Sequence, residues 1–129
     1  MKEPNWLLDD IVTLIHQKLL AEHGGGQGLR DGNLLASALA KPKQKFNYEP
    51  DTSIFELAAA YSFGIAKNHP FVDGNKRTAF TLGVLFIELN GFQFMAPEPE
   101  AAITFEALAD SKIGELELAA WFMRYSSNT

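Results

Sequence analysis

The chain has no cysteine among its 129 residues. That excludes a disulfide framework and thiolate metal sites, and it suits a reducing compartment, so a cytoplasmic location is expected. No apolar run reaches the length of a membrane span, so no membrane partner is expected. The start, Met1-Lys2-Glu3-Pro4, opens no such run, and no secretory leader is expected. Positive charge is also short: 11 Lys and Arg stand against 16 Asp and Glu, a net charge of −5. Direct nucleic-acid binding is therefore not favoured by overall electrostatics. A glycine run is present at Gly24-Gly25-Gly26, but the Gly-Lys-(Ser/Thr) ending of a P-loop is missing. There is no internal repeat and no low-complexity region. Apolar residues, in contrast, make up 47% of the chain, enough for a core, and the length fits one compact domain over residues 1–129.

Periodicity predicts an all-α domain of about six helices. Trp6, Leu7, Ile11, Leu14, Ile15 and Leu19 recur at helical spacing, predicting a helix from Pro4 or Asn5 through Leu20. His16 and His23 read as surface or capping histidines. The glycines that follow end this helix and open a flexible connector to Gly32, which could also cradle phosphate. Arg30 and Asp31 are expected to pair and fix that loop. Asp31 or Asn33 caps a short helix that Pro42 stops after Lys41. Ser53 and Glu56 form a capping-box pattern for the next helix, to about Asn68. Another runs from about Asn75 to Asn90, where Asn90-Gly91 is a stop signal. Phe92–Met95 reads as a short extended stretch. Helices over 100–109 and 115–125 follow, the latter with Met123 inward, and the tail 126–129 is expected to fray. Trp6 and Trp121 read as core or partner-contact residues.

The most informative stretch is His69-Pro70-Phe71-Val72-Asp73-Gly74-Asn75-Lys76-Arg77. The segment before it, Ile54 to Ala66, carries one charged residue, Glu56, and the segment after it, Thr78 to Leu89, carries one, Glu88. Helices this apolar are buried nearly all round. A charged turn between two buried helices is explained by anion binding. A helix starting at Gly74 or Asn75 aims free N–H groups and its positive end at the turn. Gly74 lets a phosphate approach closely. His69 is the residue of the turn whose imidazole can take a proton from an attacking hydroxyl. Asp73 is a lone hard carboxylate, sufficient for Mg2+ when substrate phosphates supply other ligands. Asn75 can cap the helix or orient a phosphate oxygen. Lys76 and Arg77 are cations suited to phosphate, and Phe71 anchors the turn in the core.

This stretch resembles the Fic/Doc family, whose Fic signature reads His-Pro-Phe-x-(Asp/Glu)-Gly-Asn-Gly-Arg-x-x-Arg. Lys76 stands at the second glycine and Phe80 at the second arginine. Both departures, with Thr78 and Ala79, are similar to the Doc (death-on-curing) toxins. Gly28-Leu29-Arg30-Asp31 and Leu34 to Leu39 also look Doc-like, so the resemblance spans roughly Gly24 to Gly91. It implies a Fic fold and a toxin of a toxin–antitoxin module. It also implies transfer of the γ-phosphoryl group of ATP, with Mg2+, to a hydroxyl of a target protein. Elongation factor Tu is the implied target, and blocked translation the result. The other readings are a Fic-type AMP transferase and a non-catalytic nucleotide-binding module. In Fic proteins a hairpin flap ahead of the central helix aligns the substrate; Phe46, Asn47 and Tyr48 occupy that position here. An inhibitory (Ser/Thr)-x-x-x-Glu-(Gly/Asn) helix has no good match: Thr52 and Glu56 have the spacing, but Leu57 follows. Restraint by an antitoxin protein with a disordered segment is therefore expected.

Overall fold

In a computed structural model, which describes residues 2–128, two apolar helices form the centre and the other elements pack around them. The central pair is α3 (Ile54–Asn68) and α4 (Asn75–Leu89), preceded by α1 (Asp9–His23) and α2 (Gly32–Tyr48). After α4 come β1 (Phe92–Phe94), α5 (Glu98–Ala109), α6 (Glu115–Arg124) and β2 (Ser126–Asn128). The domain is thus helical, with one small antiparallel sheet. Among the described residues, no helix is long and apolar enough to cross a membrane.

The centre is tight because small residues line it. Leu57 to Ser62 and Gly64 to Ala66 are buried on α3, and Thr78, Ala79, Leu82, Gly83, Phe86 and Ile87 on α4. The Ser62 hydroxyl donates to the Ala79 carbonyl at 2.6 Å, fastening the two helices where a buried hydroxyl needs a partner. A Cβ on Gly83 would sit 2.6 Å from Cζ of Phe122, so this glycine leaves room for the Phe122 ring of α6 against α4. Phe122 is fully buried there, a gain of about 1.5–3 kcal/mol relative to exposure. The Ser53 hydroxyl accepts from the Glu56 N–H at 3.1 Å and caps α3 as its sequence pattern predicts.

Four local expectations are corrected. First, α1 begins at Asp9, not near Pro4. The preceding residues are drawn out by tertiary bonds: Asn5 N–H donates to the Asn90 side chain at 2.8 Å, and Asn90 Nδ2 donates back to the Asn5 carbonyl at 3.0 Å. Second, α2 does not stop at Pro42 but runs through it to Tyr48. An interior proline typically costs about 3 kcal/mol. Here Pro42 is itself buried, and the extra turns earn contacts: Phe46 packs edge-on to Trp6 at 5.8 Å and Lys45 pairs with Glu49 at 3.2 Å. Third, Met123 points outward, 58% exposed. Fourth, the C-terminal tail does not fray over its described part: Ser126, Ser127 and Asn128 pair with Phe94, Gln93 and Phe92. Thr129 lies outside the described residues.

Candidate functional site

The turn between α3 and α4 opens into a cleft of about 750 Å³. His69, Asp73, Lys76 and Arg77 line its polar side, and Phe80, Ala101 and Phe105 its apolar side, with Glu98 and Glu106 of α5 at the rim. Each candidate residue of the turn therefore borders one space except Phe71, which is buried beneath it.

His69 is exposed and closes α3 in the left-handed conformation, φ 48° and ψ 54°. Helices commonly end this way with glycine. For histidine the conformation costs on the order of 1–3 kcal/mol. Gly74 repeats the conformation at the other end of the turn, φ 78°, where glycine adopts it freely. It is the N-cap of α4 and supplies no side-chain cap. The N–H groups of Asn75, Lys76 and Arg77 lie in the first turn of α4, where no intrahelical partner exists. Among the described residues none of the three makes a hydrogen bond; the ladder starts with Thr78 N–H donating to Gly74 at 3.0 Å. With the helix dipole, this end carries the partial positive charge and free donors that favour an anion.

Asp73 stands beside that end. Its Oδ1 accepts from Gly74 N–H at 2.8 Å and its Oδ2 from Gly26 N–H at 3.3 Å. The Gly74 N–H, then the Gly26 N–H, and to a smaller extent Arg77 and His16, hold the carboxyl below its ordinary range. It is therefore ionised at neutral pH. One backbone donor per oxygen leaves further lone pairs directed to solvent, a donor set that fits a hard cation such as Mg2+. Among the described residues no cluster of three or more His, Cys, Asp and Glu could hold a metal, so most ligands of a cation at Asp73 would be water or substrate oxygens.

The glycine run is no loose connector. Gly26 bonds Asp73, and a Cβ on Gly25, φ 128°, would fall 2.9 Å from Asp73 Oδ2. His16, expected at the surface, is buried: it stacks on Phe71 with centroids 3.7 Å apart, and its Nε2–H donates to the Asp73 carbonyl at 2.8 Å. One α1 histidine thus supports both the apolar anchor and the acidic residue of the turn. His23, at the end of α1, lines the cleft. The helical pattern left the roles of both histidines unread, because neither continues an apolar stripe.

Asn75 is buried and its amide closes on Phe71, accepting from its N–H and donating to its carbonyl, both at 3.0 Å. Its side chain staples the turn; what it offers the cleft is its N–H. Lys76 Nζ lies 2.7 Å from Glu106 Oε2. The hydrogen bond from Lys76, and its charge, hold Glu106 below the ordinary glutamate range. Arg77 forms no ion pair among the described residues. Phe46, Asn47 and Tyr48 form the last turn of α2 rather than a hairpin flap, because the helix continues past Pro42. None of them lines the cleft. Arg30 does not pair with Asp31. Asp31 caps α2 through Asn33 and Leu34 N–H, while Arg30 donates to the main-chain oxygens of His69 and Asn68.

Two buried helices, a glycine-started helix end, a histidine and an ionised carboxylate thus meet at one turn of a helical domain. The chain belongs to the Fic/DOC family, whose model matches residues 6–87. That match begins in α1's approach and so includes His16 and the glycine run. Two relatives are similar over much of this region. One is a protein named Protein kinase doc from Escherichia phage P1, 34% identical over 91 residues, covering 70% of this chain and 71% of that protein. The other is Toxin Doc from Mycolicibacterium smegmatis, 38% identical over 74 residues, covering 57% of each chain.

Proposed function

We propose that this chain is a Doc-like toxin that transfers the γ-phosphoryl group of ATP to a hydroxyl of a protein. The observation that carries the reading is the start of α4: three unpaired N–H groups face one cleft with His69, Asp73, Lys76 and Arg77 around them. Phosphoryl transfer is mainly positioning and charge neutralisation, and this arrangement supplies both. His69 accepts the proton of the target hydroxyl. The hydroxyl oxygen bonds to the γ-phosphorus as its bond to the β–γ bridging oxygen breaks, and ADP leaves with that electron pair. The N–H groups of Asn75, Lys76 and Arg77 and the Arg77 guanidinium bear the charge on the phosphoryl oxygens. Asp73 would hold Mg2+, which when bound neutralises phosphate charge.

The relatives' names, a protein kinase and a toxin, support the reading. The proposal extends to this chain an antitoxin partner with a disordered segment and elongation factor Tu as target. Both rest on the family resemblance. AMP transfer is the second reading, and one observation favours it: Glu106 neutralises much of the charge that Lys76 would bring to a terminal phosphate.

ATP labelled at the γ-position or at the α-position, incubated with the purified chain, Mg2+ and elongation factor Tu, separates the readings. Label from the γ-position alone supports kinase activity; label from the α-position overturns it. His69→Ala should lower transfer by about 10²–10⁴, the usual worth of a general base, with an unchanged circular dichroism spectrum.

A further inference from the structure

The segment 28–31 runs along the turn as if it were a strand. Leu29 pairs with Phe71 in an antiparallel bridge, Arg30 N–H and Asp31 N–H donate to the Pro70 carbonyl at 2.7 and 3.0 Å, and Val72 N–H donates to the Gly28 carbonyl at 3.0 Å. From this support the Arg30 side chain reaches the end of α3. Its Nε donates to the His69 carbonyl at 2.6 Å and its second terminal nitrogen to the Asn68 carbonyl at 2.7 Å. Arg30 forms no ion pair among the described residues, so the guanidinium is given over to these two oxygens.

We propose that Arg30 is the positioning residue of His69. Three physical facts lead there. A helix C-terminus leaves carbonyls without partners and carries partial negative charge, which a fixed cation satisfies. A planar fork bonding the Asn68 and His69 carbonyls holds the two peptides that flank the His69 Cα, as a lysine's single ammonium cannot. Those two peptides set the φ and ψ of the left-handed His69, which determine where its Cβ points. A histidine at this conformation relaxes toward negative φ unless something holds it. The sequence places histidine where glycine would be strain-free, and Arg30 holds the strained backbone that directs the imidazole to the cleft. Arg30 does not line the cleft.

The catalytic part of this inference rests on the phosphotransferase reading, so two independent readouts are needed. The first is kinetic. Arg30→Ala should lower kcat by about 10²-fold, the cost of misplacing a reacting group by about 1 Å, while KM for ATP stays within about threefold because the α4 end that binds it is intact. Guanidinium ion added at millimolar concentration should restore part of kcat, and Arg30→Lys should retain less than guanidinium rescue gives. The second is structural and needs no activity. In ¹H–¹⁵N spectra of the full chain, Arg30→Ala and Arg30→Lys should both move the His69 amide and ring resonances, and the His69 amide–Hα coupling should change from its positive-φ value. Resonances of α6 should stay in place. An unchanged His69 in the folded Arg30→Lys chain overturns the proposal whatever the activity. A kcat within twofold of wild type in Arg30→Ala also overturns it. If wild type transfers no γ-label, the kinase reading fails on its own, and the His69 resonances still decide the role of Arg30.

Discussion

His16 lies flat on Phe71, planes 10° from parallel, and the same ring donates to the main-chain oxygen of Asp73 at 2.8 Å. The carbonyl can only accept, so Nε2 carries the proton. His16→Phe keeps a flat ring on Phe71 and removes the donor. A net hydrogen bond of this kind is worth about 0.5–1.5 kcal/mol, and leaving the carbonyl unpaired adds to the loss. The melting temperature should fall by about 2–8 °C for a chain of this size. Mg2+-dependent transfer should fall more than stability does, since Asp73 loses its support. Differential scanning calorimetry and a Mg2+ titration measure the two effects; a variant with wild-type Mg2+ dependence would show that the bond serves stability alone.

Gly25 faces Asp73 with room for hydrogen only. In Gly25→Ala the added Cβ would meet Asp73 Oδ2 at 2.9 Å, in a backbone conformation, φ 128°, that alanine resists. The loop must shift, and the Gly26 N–H leaves Asp73. The apparent affinity for Mg2+ should drop, and the Asp73 carboxyl should titrate closer to its ordinary value. The sign follows from linkage: the folded-state pKa is lowered, so the stability Asp73 contributes is present above the unfolded value and lost as pH falls through the folded one. Wild type should therefore be more stable than Gly25→Ala or Asp73→Asn near neutral pH, with the curves converging as pH falls below about 4. Carboxyl-detected NMR titration reads the shift directly. Identical Asp73 titrations in wild type and Gly25→Ala would remove the loop from the account.

Glu106 and Lys76 are both well exposed, so their ion pair does little for folding. Its effect is on the cleft. On the proposed reading, phosphate must take Lys76 from a carboxylate that also repels it. Glu106→Gln should leave the melting temperature nearly unchanged and tighten ATP binding severalfold, more so at low salt because the groups are solvent-screened. Calorimetric titration with ATP and Mg2+ at two ionic strengths tests it. Weaker binding in Glu106→Gln would mean that Glu106 orients Lys76 toward the phosphate instead.

Much of the site was legible because chemistry sits in one contiguous stretch. His69, Asp73, Lys76 and Arg77 come together with no long-range folding, and α3 and α4 announce themselves by lacking a polar face. The parts that escaped reading depend on distant contacts. His16 reaches Asp73 across 57 positions, and no helical period reveals a buried histidine whose partner is a main-chain oxygen. Arg30 beside Asp31 suggests an ion pair, yet each has a backbone target in a different element. Pro42 reads as a stop, and the helix continues because Phe46 finds Trp6, a partner supplied by residues ahead of α1. Asn75 looked free to meet phosphate; the turn's own geometry claims its amide.

On the phosphotransferase proposal, Phe80 is the residue expected to set which phosphorus the cleft presents. At this position Fic-type proteins place a second arginine, and here the ring packs edge-on to Phe105 at 5.2 Å and Phe94 at 6.1 Å. It borders the cleft but cannot bind an anion. A nucleotide with its α-phosphate at the α4 terminus would extend its β- and γ-phosphates toward this aromatic wall. With its γ-phosphate at the terminus, the most highly charged group meets Lys76 and Arg77. Lys76→Gly with Phe80→Arg should reverse the preference. The glycine removes a cation from the helix end at a helix cost of about 1 kcal/mol. The arginine can lay its stem along Phe105 and keep its head in the cleft, although lost ring packing should lower the melting temperature. Intact-mass measurement of the target then gives the outcome. Wild type should add about 80 Da per event, one phosphoryl group. The double variant should add less of that mass and begin to add the mass of an AMP group. A wild-type product carrying AMP would reverse the assigned pose, and a double variant that phosphorylates as well as wild type would show that Lys76 and Phe80 do not set it.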